Sequence, residues 1–205
     1  MRKIFFASFC LFILSLVSCT STQITSSWKE PDKTIIINKL QKVLVVSMLK
    51  NETNNRKAED QMVGYLDGKG VQSYNYLNSN FNKKNVEAIR DKIKADGFDG
   101  AVTLRLIDVD KEKSYVPGIQ SSYPVSYRTF SGYYYNTWAY YSTPGYYSTT
   151  KIYTIEVNVF SIKEDKIIWT ATTETTDPSG VKKMTADIVK AVYKKMIKNG
   201  FIIKE

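Results

Sequence analysis

Few residues in this 205-residue chain could do chemistry. Histidine is absent, which removes the side chain that most often moves protons or ligates metal near neutral pH. Cysteine occurs twice: Cys10 sits inside the uncharged apolar run 4–17, and Cys19 lies two residues beyond it. Carboxylates form two groups. Glu59 and Asp60 are adjacent, so on a helix they face different ways and read as a solvated helix start. Asp96, Asp99, Asp108 and Asp110 flank one β-like run. Such a set could make an acid–base pair or a calcium site. Its spacing fits no cation-binding loop, so turn and strand-end use is the plainer reading. No Gly-x-Ser-x-Gly elbow, phosphate loop or Ser-x-x-Lys occurs. The pattern points away from an enzyme, with no metal and no cofactor expected. A hydrolase built on the strand-end aspartates is the catalytic alternative.

Tyrosine is the other concentrated chemistry. Ten of the fifteen tyrosines lie between Tyr115 and Tyr147, beside Phe130 and Trp138, and Arg128 is the sole charge in 115–150. Pro117-Gly118, Gly132 and Pro144-Gly145 punctuate the stretch. A connection of this length without a clear period is functional or disordered more often than ordinary, and its aromatic, nearly uncharged composition is not that of disorder. Tyrosine joins an apolar ring to a hydroxyl and supplies rigid contact area. Three readings stand: a hairpin extension packed on its own sheet, a protein-binding surface, or a glycan-stacking surface. Tyr133-Tyr134-Tyr135 and Tyr140-Tyr141 place rings on both faces of any strand, which a one-sided core hairpin would not need. The candidate partner-binding residues are therefore Tyr127, Arg128, Tyr133, Tyr134, Tyr135, Trp138, Tyr140 and Tyr141.

The start of the chain fixes an address. Arg2 and Lys3 precede fourteen apolar residues, a length that suits a signal-peptide core rather than a membrane-spanning helix. Leu16-Val17-Ser18-Cys19 closes the run and resembles the bacterial lipobox. That resemblance implies a diacylglycerol (thioether) on Cys19, cleavage before it, and acylation, palmitate included, of the new amino end. A plain secretory signal with an incidental cysteine is the alternative. One acyl chain anchors weakly and several anchor durably. Cleavage would remove residues 1–18 with Cys10 and leave Cys19 as the sole cysteine, with no disulfide. Without Arg2 and Lys3 the chain carries 27 basic and 20 acidic residues, a balance of +7. The lysines are scattered, which fits a solvated surface; after export no nucleic-acid partner is expected, and lipid headgroups or envelope polymers are the natural anions. Residues 19–27 read as a flexible leash with a reach of roughly 20 Å. Thr20 stands where an Asp would resemble an inner-membrane retention signal. The expected location is the outer membrane, lipid-anchored and facing the periplasm, with the bilayer itself as first partner.

The rest reads as one domain, 28–205. Lys42 to Met48 reads as a β-branched, buried first strand. Ala58, Met62, Tyr65 and Leu66 have helical spacing, closed by Gly70 as a left-handed end. Val71 to Leu77 reads as a second strand, Val86, Ile89 and Ile93 as a second helix stopped at Gly97, and Ala101 to Val109 as a third strand. The segment 115–150 is inserted after it. Tyr153, Ile155, Val157 and Val159 alternate, a turn falls at 163–166, and a Thr-rich strand with Trp169 follows. Asp177-Pro178 offers a helix start, and Val181, Met184, Ile188, Val192 and Met196 form the stripe of a last helix. Trp28 and Trp169 read as core anchors. The order β-α-β-α-β-β-β-α predicts an α/β domain. It has a single mixed sheet packed with helices and a long Tyr-rich insertion between the third and fourth strands.

Four stretches carry a resemblance: Trp28-Lys29-Glu30-Pro31 behind the lipobox, Ala58-Glu59-Asp60 opening the first helix, Asp96-Gly97-Phe98-Asp99-Gly100-Ala101, and Tyr115-Val116-Pro117-Gly118. Together they resemble a group of Gram-negative envelope lipoproteins of unknown function, over about residues 26–203. The outline is also similar to outer-membrane lipoproteins that activate peptidoglycan synthases and to the amino-terminal domain of the Tol-Pal propeller protein. With little to support catalysis, the tether at Cys19 and the aromatic segment 115–150 point to a non-enzymatic module that binds or scaffolds envelope proteins. The alternative is a module that binds peptidoglycan or another glycan through the tyrosines.

Overall fold

The computed structural model describes residues 22–77, 86–117 and 145–203. The strands are β1 Thr22–Lys29, β2 Ile35–Ile36, β3 Val43–Met48, β4 Gly70–Gln72, β5 Gly100–Val116, β6 Tyr146–Ser161, β7 Lys166–Thr176 and β8 Ile202–Ile203. The helices are α1 Glu52–Val63, α2 Ser73–Tyr76, α3 Val86–Ala95 and α4 Val181–Lys198. Six strands form one mixed sheet in the order β1-β7-β6-β5-β3-β4, and β2 pairs with β8 separately.

The mixed sheet follows from its connections. β3 runs parallel to both β4 and β5. The chain leaves β3 through α1 to β4 on one side, then returns through α3 to β5 on the other. Right-handed crossovers in opposite directions must put the two helices on opposite faces. Met62 of α1 accordingly packs with Val45, Leu104, Ile155 and Val157. Ile93 of α3 packs with Leu44, Phe98 and Ala101. The α4 stripe joins the first face: Met184, Ile188, Val192 and Met196 are all buried. Each such burial is worth about 1.5–3 kcal/mol. Trp169 and Phe201 close this core with ring centroids 6.2 Å apart.

The structure departs from the sequence reading at several places, each with a physical cause. Residues 22–27, expected within the leash, belong to β1. Their Thr/Ser-rich pattern resembles a linker, yet β7 offers an open edge, and β1 pairs along it from Thr22↔Thr175 to Lys29↔Trp169. The Thr22 and Thr175 hydroxyls meet at 2.8 Å. Trp28 is not a core anchor: it stands 46% exposed on this edge strand. The segment is fastened instead by Glu30, whose N–H donates to the Ile168 carbonyl at 3.0 Å and whose carboxylate meets Lys166 at 2.8 Å. Gly70 opens β4; the left-handed turn comes earlier, at Asp67 and Gly68. Val71–Leu77 is a strand only to Gln72, after which α2 begins. Asp177 does not cap α4, which starts at Val181 behind Gly180. Its carboxylate instead accepts the Lys151 N–H at 2.7 Å, and its own N–H donates to the Lys151 carbonyl at 2.8 Å. This clamps the end of β7 to β6.

Across β5 and β6, Arg105 Nε meets Glu156 Oε2 at 3.0 Å. That hydrogen bond, helped by Asn158 Nδ2 at 3.0 Å, holds the Glu156 carboxyl below its usual range against the opposing effect of burial. A depressed folded-state pKa gives stability that is present above the unfolded value, about 4.3 for Glu, and fades as pH falls through the folded value. Arg105→Met is therefore expected to cost under about 1 kcal/mol at neutral pH, because the pair is partly exposed. The difference from the parent protein should vanish at acid pH. Urea titrations at pH 7 and pH 3 check it; a gap that is unchanged by pH would count against the ion pair.

Candidate functional site

Two features stand out from the frame: an arm at one end of the sheet and a cavity toward the other. The arm is the far half of the β5–β6 hairpin. β3 pairs with β5 only through Arg105, and β7 pairs with β6 only through Ile152. Beyond those points the ladder runs on, from Lys111↔Lys151 to Val116↔Tyr146, with no third strand beside it among the described residues. A two-stranded ribbon is barely stable alone; this one is stiffened as the continuation of a six-stranded sheet. Strand alternation puts Lys111, Lys113, Tyr115, Tyr147 and Lys151 on one face. Tyr115 and Tyr147 lie directly opposite each other, with ring centroids 5.2 Å apart, and both are exposed.

Gly145 precedes β6 at the arm's tip. A Cβ placed there would overlap the Tyr115 hydroxyl and come within 2.9 Å of its ring edge. Gly145→Ala is expected to cost about 1 kcal/mol by swinging Tyr115 off its partner. That cost should disappear in a Tyr115→Ala background. A double-mutant cycle by thermal unfolding measures the coupling, and equal costs in the two backgrounds would contradict the contact.

The arm carries the chain into and out of the Tyr-rich stretch. Tyr127, Arg128, Tyr133, Tyr134, Tyr135, Trp138, Tyr140 and Tyr141 lie outside the described residues, as does Cys19. The hairpin ladder reaches Val116 and Tyr146, so the expected insertion 115–150 is in part regular β-structure.

The carboxylates have other roles than the sequence suggests. Glu59, expected at a solvated helix start, lies in the second half of α1 and is 2% exposed. Its carboxylate accepts from Ser47 N at 2.9 Å, Ser73 Oγ at 2.7 Å and Tyr74 N at 3.2 Å. One side chain thus ties together β3, α1 and the β4–α2 junction. Asp60 does face another way and is exposed, accepting from Tyr74 Oη at 2.6 Å and Gln72 Nε2 at 3.2 Å. The Tyr74 phenol is pushed up, first by that hydrogen bond to Asp60.

The four strand-flanking aspartates do not converge. Asp96 accepts from Lys92 Nζ at 2.8 Å and Tyr76 Oη at 2.7 Å. These bonds, Lys92's first, hold its carboxyl low, and burial together with Asp96 pushes the Tyr76 phenol up. Asp99 accepts the N–H groups of Gln41 and Lys42 and so fixes the turn into β3. Asp108 and Asp110 are exposed on β5. Among the described residues no three acidic or thiol side chains gather as a metal site would need.

The cavity, about 980 Å³, is lined by side chains of β5, β6 and β7, α4, the end of α1 and the Ile35–Leu40 segment. Leu104, Val157, Ile188 and Phe201 are among its walls. These four are at most 3% exposed and belong to the packed core beneath the pocket, which opens to solvent.

No protein-family model and no curated protein matches the sequence. Among solved structures the chain is similar to the PelC dodecamer from Paraburkholderia phytofirmans. The identity is 10% and the TM-score 0.43, over 83% of this chain and 94% of that one. It is also similar to lipoprotein GNA1162 from Neisseria meningitidis, at 8% identity and a TM-score of 0.38, over 77% of this chain and 98% of that one. The structural neighbours thus include a bacterial lipoprotein.

Proposed function

We propose that this chain is a lipoprotein of the Gram-negative outer membrane. It is held in the periplasm-facing leaflet through acylated Cys19, and it binds or scaffolds other envelope proteins without catalysis. The carrying observation is the arm, which stands clear of the other described strands. A ribbon with no third strand among the described residues, exposed tyrosines and three lysines on one face is of little use to the core but suits a contact surface. The N-terminal run 4–17 with Leu16-Val17-Ser18-Cys19 supports the anchor. No helix of the described residues is long and apolar enough to cross a membrane.

The test is in-cell photo-crosslinking from probes replacing Tyr147, on the arm, and Tyr134, in the Tyr-rich stretch, read by mass spectrometry. Discrete protein adducts are expected at both positions. Adducts that shift only when the cell wall is digested would replace this reading with glycan binding. No adduct, with Tyr134 shielded from solvent labelling, would assign the tyrosines to internal packing.

A further inference from the structure

The two faces of the arm carry opposite charge. Alternation along β5 sends Lys111, Lys113 and Tyr115 to one side, where Lys151 and Tyr147 of β6 join them. This is the side on which α1 and α4 cover the sheet, since Tyr153, two residues from Lys151, packs on their core. Asp108, Asp110 and Glu112 take the other side, with Val116 and Tyr146 at its tip. From Asp108 to Val116 and from Tyr146 to Thr154, one face holds lysines and no acid, and the other holds acids and no base. All six charged side chains are exposed, and none forms an ion pair among the described residues.

Folding does not require this segregation and is opposed by it. Lys111 stands directly opposite Lys151, a like-charge pairing that destabilises a sheet. Asp108, Asp110 and Glu112 repel one another along a single strand. Both strains are relieved where one face meets the other. The faces match in spacing, because lysines and carboxylates each recur at every second residue of β5, about 7 Å apart. They match in order as well. From foot to tip one runs from lysines to Tyr115 and Tyr147, the other from carboxylates to Tyr146. All three rings are exposed. An unrelated partner would answer only one face, whereas a second copy pointing the same way answers both.

We propose that the arm docks a second copy of this chain, the lysine face of one arm stacking on the carboxylate face of the next with the tips aligned. The reversed stacking would lay rings over charges. The contact is heterologous: each added copy leaves one face of either sign open, so copies line up in a row that ends only by closing on itself. The helices α1 and α4 thicken the body on the lysine side, and no described element covers the arm. The bodies therefore fan outward around arms stacked about 10 Å apart, which curves the row. This inference rests on the reading of the arm as a contact surface and names its occupant.

The test uses the full-length protein, purified in detergent as isotope-labelled and unlabelled batches and mixed. A zero-length carbodiimide then joins amines to carboxylates that touch. Adducts between labelled and unlabelled copies are expected to link Lys111, Lys113 or Lys151 to Asp108, Asp110 or Glu112, and to disappear in about 1 M salt. Two charge-reversed variants follow: Lys111→Glu with Lys113→Glu and Lys151→Glu, and Asp108→Lys with Asp110→Lys and Glu112→Lys. Each alone should lose self-association about a hundredfold by sedimentation, as attractive pairs become repulsive ones, while thermal unfolding shows both folded. Mixed together they should associate as the parent does. A parent that yields no such adducts, variants that associate alone, or a mixture that does not recover would each overturn the proposal. If the parent does not self-associate but a Tyr147 probe still captures another protein in cells, this inference alone falls; if neither contact occurs, the contact-surface reading falls with it.

Discussion

Glu59→Ala is expected to lower the unfolding free energy by about 3–5 kcal/mol. The carboxylate is almost fully buried and takes hydrogen bonds from two backbone N–H groups and one hydroxyl on separate segments. Removing it strands the buried Ser47 N–H and leaves the part-buried Tyr74 N–H and Ser73 hydroxyl without their acceptor. An unmade buried hydrogen bond costs more than a made one gains, about 1–3 kcal/mol for each stranded group. Glu59→Gln keeps the shape but turns an amide N–H₂ toward donors, so about 2 kcal/mol of loss is expected. Urea unfolding followed by tryptophan fluorescence distinguishes the two. A Glu59→Ala protein within 1 kcal/mol of the parent would show that the α1 clamp is dispensable, since single surface changes alone reach about half that.

Cys19→Ser is expected to abolish incorporation of labelled palmitate and recovery in the outer-membrane fraction. A hydroxyl at that position is not the thiol on which lipobox processing acts. Without lipidation there is no cleavage before residue 19, so the variant should keep residues 1–18 and run heavier. Each buried methylene contributes about 0.8 kcal/mol, so several acyl chains hold a protein far beyond any reversible contact. Their loss should be all-or-none in fractionation. Palmitate labelling that persists in the variant would defeat the lipid-anchor reading.

Periodic patterns were legible in the sequence because burial enforces them. The Met184–Ile188–Val192–Met196 stripe faces the sheet as its spacing demands, and alternation in Ile155, Val157 and Val159 places β6. Val102, Leu104 and Leu106 share the same core face. Where local pattern and tertiary opportunity conflicted, the sequence misled. Residues 22–27 look like a linker, and only the free edge of β7 makes them a strand. Asp177 looks like a cap, but the nearby Lys151 backbone takes its carboxylate.

Glu59 left a signal that could have been read. It follows Ala58 and precedes Met62 by three, so it belongs to the buried edge of α1. Asp187 likewise neighbours Ile188 and sits one turn beyond Lys183. The cavity left no such trace, since its wall residues are those of any well-packed core.

The early start of β1 changes how the protein would stand on the proposed anchor. Only three peptide steps separate Cys19 from Thr22, a span of at most about 11 Å, in place of the longer tether suggested by composition. Thr22 lies level with Thr175, Tyr153 and Val109, at the foot of the arm. The arm continues past that level in the direction from which the chain arrives, by seven residues or about 23 Å. The arm is thus longer than the mooring. With Cys19 acylated, the domain cannot stand upright over the bilayer with its arm extended into the gap. On the proposed lipid anchor it would have to lean so that the arm approached the headgroups, and any partner would then be met in a two-dimensional search among molecules of the same leaflet.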